Sequence, residues 1–486
     1  VTARVGRDGR TVTDVAVEGA SELRGVWAGS GGSAVEGSRA RRIGGSDPNR
    51  TSGALVETDA TRMCALLVGL PTVNVLAVDD DDPAGPLRVH VETTATTVAC
   101  RSCGTKARVK DRRQVALVDL PAFGRRAVLV WHKRRWCCPD VDCETKSFTE
   151  VDARIAASRA KVTDRAGRHV TARVGRDGRT VTDVAVELGC DWHTVMDAVR
   201  SYGTALIEDP ARIGPVAAVG LDETLFARTG SKKTRCWCTS IVALDRPAQL
   251  LDVVEGRTAK APTTWLEARP ESWRAAIRWG ALDLSGPYRK TFNDTLPDAT
   301  QVADPFHVCK LANSRLDECR RRVQNETLGH RGRKDDPLYR SRRLLTKGHE
   351  RLDEKGTEKL LGFLEAGDPH GEVRMTWHAK ETLRGFYTQP AENAEAFLDE
   401  LVADMGDESM PIEVRSLART LTTWRAQILA WHDAKVSNGP TESINNLIKR
   451  IKRIGFGFRR FANYRIRVLL YAGTPNWDLL DTVTPR

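Results

Sequence analysis

The stretch "PVAAVGLDET", residues 215–224, alternates into an apolar strand that ends in a carboxylate, Asp222. Two more strands follow, "CWCTSIVALD" (236–245) and "AQLLDVVEGRT" (248–258), joined by a turn at Asp245-Arg246-Pro247. A helix, "APTTWLEARPESWRAA" (261–276), leads to the strand "IRWGALDLSG" (277–286), which carries Asp283. A second helix from Pro287 leads to the strand "TQVADPFHV" (300–308), which carries Asp304, and then to another helix.

Three strands in a meander, then helices alternating with strands, is the element order of a ribonuclease-H-like domain. There the first and fourth strands lie side by side, so carboxylates at their C-terminal ends meet, and Asp222 and Asp283 satisfy this condition. Asp304 ends the fifth strand, one spacing of about 4.8 Å farther on, and is the alternative second aspartate. Such carboxylates suit hard Mg²⁺ or Mn²⁺. Two such ions about 4 Å apart clamp the attacking and leaving oxygens of an in-line phosphoryl transfer.

That chemistry needs a third acid, and "KVSNGPTESINNLIKRIKRIGFGFRRF" (435–461) supplies one. Glu442 stands at the head of a basic run in which no other acid occurs from Ser443 to Arg467. On a helix opened by Pro440, Glu442, Asn445 and Lys449 fall at i, i+3 and i+7, on one face. The sequence thus predicts Asp222, Asp283 and Glu442 as catalytic residues and magnesium ligands. Asn445, Lys449, Arg450, Lys452, Arg453, Arg459 and Arg460 are expected to bind DNA, the cations by neutralising phosphates.

Two further modules precede the carboxylates. From 63 to 150 short alternating strands carry "CRSCG" and "CCPDVDC", whose Cys100, Cys103, Cys138 and Cys143 form two pairs. Four thiolates at about 2.3 Å make a closed structural zinc site. Cys137 rivals Cys138, since neighbours on a strand face opposite ways; the proline after Cys138 suits a knuckle turn and favours Cys138. Next, "TVTDVAVELGCDWHTVMDAVRSYG" (180–203) fits a helix, a glycine turn and a second helix, the helix-turn-helix layout. Val184, Ala185 and Leu188 on the first helix, and Val195, Met196 and Val199 on the second, make its inner faces. Asp191 is the expected N-cap, with Trp192, His193, Thr194 and Asp197 near the groove-facing end.

The 486 residues leave room for about two to four domains. Lys and Arg number 75 against 64 Asp and Glu, a net charge of +11 that is clustered, so a nucleic-acid partner is expected. No run of eighteen apolar residues and no signal-like start occurs, so no membrane partner is expected and the chain is placed in the cytoplasm, associated with the nucleoid. Residues 1–18, "VTARVGRDGRTVTDVAVE", recur letter for letter at 170–187, and the Gly-, Ser- and Arg-rich sequence after them reads as flexible. The folded protein is expected to begin at Met63, and an N-terminal arm that binds DNA by charge is the alternative.

The motifs "GLDET", "DLSGPYRK", "ADPFHVCKLAN" and "SNGPTESINNLIKRIKRIGFGFRRFANYR", with the cysteine module, resemble the ISL3 family of bacterial insertion-sequence transposases over Met63 to about Trp477. The resemblance implies a DDE transposase with the triad Asp222, Asp283 and Glu442 and the block Asp304-Pro305-Phe306-His307 beside it. It implies that the zinc module and helix-turn-helix bind terminal inverted repeats, and that the core cleaves strands and joins them to target DNA with two Mg²⁺. Paired ends imply a homodimer or higher oligomer. The expected fold is multidomain α/β. It comprises a disordered extension (1–62), a zinc-binding β-rich module (63–150) and a helix-turn-helix domain (151–212). A ribonuclease-H-like mixed-sheet core (213–325, completed by 434–486) is interrupted by an all-helical insertion (326–433). Within the insertion, charged runs are expected to be exposed, and Trp424 and Trp431 either pack or stack on a base. His307 is read as a strand-end residue, an acid or base or a backbone partner. The alternative function is a non-catalytic DNA-binding regulator, and a ribonuclease or resolvase using the same carboxylates is a weaker third.

Overall fold

Alternation of apolar and polar residues builds two sheets, and helices cover what each sheet leaves apolar. The structure, a computed structural model, describes residues 59–485. The extension and the first copy of the repeat therefore lie outside the described residues up to Thr58. Helix α1 (Ala60–Val68), capped by Asp59, begins before Met63, where the sequence placed the start of the folded protein.

The first sheet comprises β1 (Val73–Asp79), β2 (Leu87–Thr93), β3 (Arg108–Ala122), β4 (Arg125–Cys137) and β5 (Ser147–Thr149). Its order is β1-β2-β4-β3, with β5 paired to β4. The hairpin β3–β4 turns on Phe123 and Gly124, both at positive φ (51° and 78°), as a tight two-residue hairpin requires. Val73, Val91, Leu117, Leu129 and Trp131 form its own small core.

Helices α2 (Asp164–Thr171), α3 (Val181–Leu188) and α4 (Trp192–Ile207) follow, opened by the side-chain caps Thr163, Thr180 and Asp191. Gly189, at φ 70°, ends α3 and turns the chain into α4. The expected inner faces are buried: Val184, Leu188, Val195, Met196 and Val199 are all under 3 % exposed. Thr194 departs from expectation. It is buried, and its hydroxyl and amide both donate to Asp191, so it locks the helix start instead of facing a groove.

The second sheet holds β6 (Ala218–Thr229), β7 (Thr234–Ala243), β8 (Gln249–Glu255), β9 (Trp279–Leu282) and β10 (Thr300–Ala303) in the order β10-β9-β6-β7-β8. The first three form an antiparallel meander; β9 and β10 add in parallel beside β6. Helices α5 (Lys260–Glu267), α6 (Glu271–Ala275) and α7 (Gly286–Thr295) make the crossovers, which parallel pairing demands. Asp222 lies within β6, not at its end, because the strand continues through Thr224 and Phe226. The segment "PFHV" is not strand either. Asp304 caps α8 (Pro305–Leu328), Pro305 occupies its first turn, and His307 is helical.

The charged region is helical as expected: α9 (Pro337–Leu345), α10 (Glu354–Gly367), α11 (Glu372–Phe386), α12 (Ala391–Gly406), α13 (Ile412–Thr423) and α14 (Arg425–Ala434). It is not polar all round. Leu338, Leu345, Leu360 and Leu364 are buried against α8, and Arg322 is held by Glu372 and Glu413 instead of facing out. Helix α8 also crosses the expected boundary at 325/326 without a break. Trp424 is buried, so packing, not base stacking, accounts for it.

Two last helices, α15 (Gly439–Ile454) and α16 (Phe461–Ala472), return to the second sheet. Val219 and Leu221 of β6 point into the core shared with the helical region. Ala218 and Phe226 point the other way, against Ile444, Ile448, Tyr464 and the inner faces of α3 and α4. Asp222 and Thr224 share that second face, which α15 covers.

Candidate active site and zinc centre

Strand register fixes the carboxylates first. Gly220 of β6 pairs with Ala281 of β9, and Leu282 of β9 pairs with Ala303 of β10. Carried on along the strands, this register sets Asp222, Asp283 and Asp304 level with one another on three neighbouring chains. Helix α15 can lie close over β6 because Gly220 has no side chain: a Cβ there would collide with Thr441 Oγ1 and stand 2.6 Å from Asn438 Oδ1. Glu442 follows Thr441 in the first turn of α15, exposed, on the side of the helix that meets Asp222 one turn later through Asn445.

The three aspartates differ in what they already hold. Asp304 is 2 % exposed and fully engaged: Oδ1 accepts from the Asn438 amide at 2.8 Å, and Oδ2 contacts His307 Nδ1 at 2.9 Å and accepts from its amide at 3.2 Å. It clamps the start of α15 to the end of β10. Asp222 accepts from the Glu223 amide at 2.7 Å and from Asn445 Nδ2 at 2.6 Å. Asp283 has a buried Oδ1 with no hydrogen-bond partner among the described residues. Burial raises the carboxyl pKa of both Asp222 and Asp283, and the charge of Asp222 raises that of Asp283 further. The imidazole of His307 faces both and opposes the shift, and its own pKa is raised by the bond to Asp304.

Asn445, expected on DNA, is 2 % exposed. Its amide nitrogen serves Asp222 and its oxygen accepts from Ser240 at 2.9 Å and Thr224 at 3.2 Å, so it orients the aspartate. Its place beside Ile444, Ile448 and Ile451 on the buried stripe of α15 was the signal for this role. Lys452 is also partly committed, donating to the Leu225 carbonyl at 2.5 Å, and burial lowers its pKa. Lys449, Arg450, Arg453, Arg459 and Arg460 are exposed, as a phosphate-facing surface requires.

The oxygens of Asp222, Asp283 and Glu442 do not converge as tightly as a loaded site would. Among the described residues, the only group of three or more His, Cys, Asp or Glu whose ligand atoms all lie within 4.8 Å of one another is Cys100, Cys103, Cys138 and Cys143. Hard oxygen donors, one of them buried without a partner, fit a magnesium or manganese ion.

The thiols are already assembled. Cys100 Sγ lies 3.7 Å from Cys143 Sγ, and Cys103 Sγ lies 3.4 Å from Cys138 Sγ. A tetrahedral zinc with bonds of about 2.3 Å places its sulfurs about 3.8 Å apart, so these residues fit the ion without an open position. Hairpin β3–β4 brings the two pairs together, and Gly104 at φ 73° makes the knuckle turn. Hydrogen bonds from Thr105 hold the Cys103 thiol down to about 6, and backbone bonds from Cys103 and Ser102 lower that of Cys100. Burial pushes the Cys138 thiol up to about 12, so two of the four thiols favour the thiolate before an ion is bound. Cys138, not Cys137, is in the cluster.

Comparison with known proteins gives a family for each of these two regions of the chain. The ISL3 transposase family model matches residues 219–468, and the model described as zinc-finger of transposase IS204/IS1001/IS1096/IS1165 matches residues 96–143. The chain is 25 % identical over 399 residues to the transposase for insertion sequence element IS1001 of Bordetella parapertussis, covering 78 % of this chain and 90 % of that protein. It is 26 % identical over 408 residues to the transposase for IS1557 of Mycobacterium tuberculosis, covering 78 % and 88 %. No described helix is long and apolar enough to cross a membrane. A zinc ribbon followed by a transposase region that spans half of the sequence establishes that this chain belongs to the ISL3 family of insertion-sequence transposases.

Proposed function

We propose that this transposase binds the terminal inverted repeats of its element through the zinc module and the α3–α4 helix-turn-helix. Its second sheet, read as a ribonuclease-H-like core, then cleaves strand ends and joins them to target DNA. The observation that carries this reading is the level placement of Asp222 and Asp283 under α15, with Asp283 Oδ1 buried and unpartnered. Asp222, Asp283 and Glu442 would hold two Mg²⁺, which when bound activate the attacking oxygen and stabilise the leaving one.

The chain's own residues prepare that site. Asn445 fixes the rotamer of Asp222, and Asp304 fixes the start of α15, which carries Glu442. Lys449, Arg450 and Arg453 on the exposed side of the same helix hold the phosphate backbone near the carboxylates. Pairing of two ends calls for an assembly of at least two chains, which is part of the same proposal.

Strand cleavage and joining on a labelled duplex carrying the element's end, with Mg²⁺, tests this reading. Glu442→Gln, at an exposed position, is expected to keep DNA affinity and fold while cleavage falls by about a thousandfold, a loss of roughly 4 kcal/mol of transition-state stabilisation. Specific binding with no cleavage by either protein would favour a non-catalytic regulator.

A further inference from the structure

A cleft of about 440 Å³ opens between the start of α4 and the loop 455–460 that joins α15 to α16. Its size lies in the range of ordinary ligand pockets. Two large aromatic side chains stand at it in solvent: Trp192 is 40 % exposed and Phe456 94 % exposed. Phe456 also holds a left-handed backbone, φ 49°, between Gly455 and Gly457. A loop that presents an aromatic ring to water from a strained backbone costs stability unless something covers the ring.

The floor of the cleft carries the second observation. Arg467 is 3 % exposed, its guanidinium lies 5.7 Å from the centre of the Phe458 ring, and among the described residues no carboxylate pairs with it. One of its nitrogens donates to the Arg179 carbonyl at 3.0 Å, while Nε is buried without an acceptor. Burial alone pushes its guanidinium down to about 10. Beside it, Asn463 Oδ1 is buried without a donor. A buried cation with no counter-charge is costly, and an anion entering the cleft would remove that cost. Arg459 and Arg460, both exposed, add positive charge at the mouth.

Aromatic rings, a buried guanidinium and a free amide oxygen together match one chemical class: a nucleotide, with a flat base, an anionic phosphate and edge donors. A duplex groove offers no such base face. We propose that this cleft receives one unstacked nucleotide of the bound DNA, its base against Trp192 and Phe456 and its phosphate on Arg467. The inference rests on the chain binding DNA as a transposase, and it adds a strand-distorting contact to that reading. From Glu442 to Ile454 the rise of α15 is about 18 Å, so one DNA strand can engage both the carboxylates and the cleft.

The test uses the full chain without divalent metal, so that no strand is cut, and two short duplexes of the same sequence. One is fully paired; the other carries a single unpaired 2-aminopurine. An unpaired base costs least to extrude, and stacking on an aromatic side chain gains several-fold to a hundredfold in affinity per base. The unpaired probe is expected to bind about tenfold tighter at equal salt, with a change in 2-aminopurine emission. Phe456→Ala is expected to remove most of that preference while affinity for the paired duplex stays within about twofold. Trp192→Ala, on the helix-turn-helix itself, is expected to remove most of the preference while also weakening binding to the paired duplex. Equal affinity of the wild type for both probes, or a preference that survives both substitutions, would overturn the proposal. Preference for the unpaired probe in a protein that cuts no element end would keep the cleft and discard the catalytic reading. Cleavage of ends without any preference would do the reverse, and failure to bind either duplex would remove both.

Discussion

Removing zinc, by chelation or by Cys103→Ser, is expected to unfold residues 96–107 and 137–147 while the rest of the chain stays folded. Structural zinc sites of this kind contribute about 10–16 kcal/mol in isolated fingers, more than a small module gains from its own core. Apart from the sheet pairing of Cys137 and Ser147 at their ends, these segments are held by a few bonds: Cys100 to the Thr105–Gly104 turn, Ala107 to Val98, Cys138 to Lys146 at 3.2 Å, and the side-chain contacts Ser102–Thr145 and Lys146–Val141. The other end of the same hairpin is independent of the metal. Leu117, Leu129 and Trp131 pack with Val73 and Val91, and Asp119 pairs with Arg165 of α2. Hydrogen exchange separates the two ends. Amides of residues 100–105 and 138–146 are expected to lose protection on chelation, and those of Leu117 and Leu129 to keep it. Loss of protection across the whole hairpin would mean that the ion supports the entire module.

Asp283→Asn and Asp304→Asn are expected to fail in opposite ways, although the two side chains stand level on neighbouring strands. At Asp283 the substitution removes a charge that burial and Asp222 already disfavour, so folding is expected to be unchanged or slightly favoured. Cleavage is expected to fall by about a thousandfold, because the substitution removes an oxygen proposed to hold the metal. At Asp304 the carboxylate accepts from the Asn438 amide on one oxygen and from the His307 amide on the other. An asparagine turns an NH₂ toward one of these donors. That loss is expected to cost about 2–4 kcal/mol of stability and to loosen the start of α15. Melting temperature and cleavage rate, measured on both variants, separate chemistry from support. Equal destabilisation by the two substitutions would contradict the assignment.

Much of this was legible from residues alone, and the misses have physical causes. The four cysteines were readable because two spaced pairs flank a hairpin-forming sequence, and the meander because apolar alternation in 218–255 is strong. The order of elements placed β9 beside β6, and hence Asp283 beside Asp222. The end of β6 was misread because an aspartate looks like a terminus, whereas alternation through Thr224 and Phe226 carries the strand on. "PFHV" was misread as strand because Phe and Val favour one; an aspartate cap followed by proline is the stronger signal and opened a helix. Asn445 was placed on DNA by the helix face it shares with Glu442 and Lys449, and Thr194 by its place at the start of the second helix, yet both sit on buried helix stripes where a polar side chain must find an internal partner. Burial of Arg467 was not readable, since an arginine in a basic run gives no sign that its neighbours will enclose it.

The central claim is that Asp222, Asp283 and Glu442 form one divalent-cation site. Titration of the zinc-loaded protein with Mn²⁺, followed by electron paramagnetic resonance of the free ion, addresses it without needing DNA or turnover. The wild type is expected to take up about two ions per chain. Asp222→Asn, Asp283→Asn and Glu442→Gln are each expected to lose at least one, with the zinc content unchanged. Uptake by all three variants equal to that of the wild type would contradict the site.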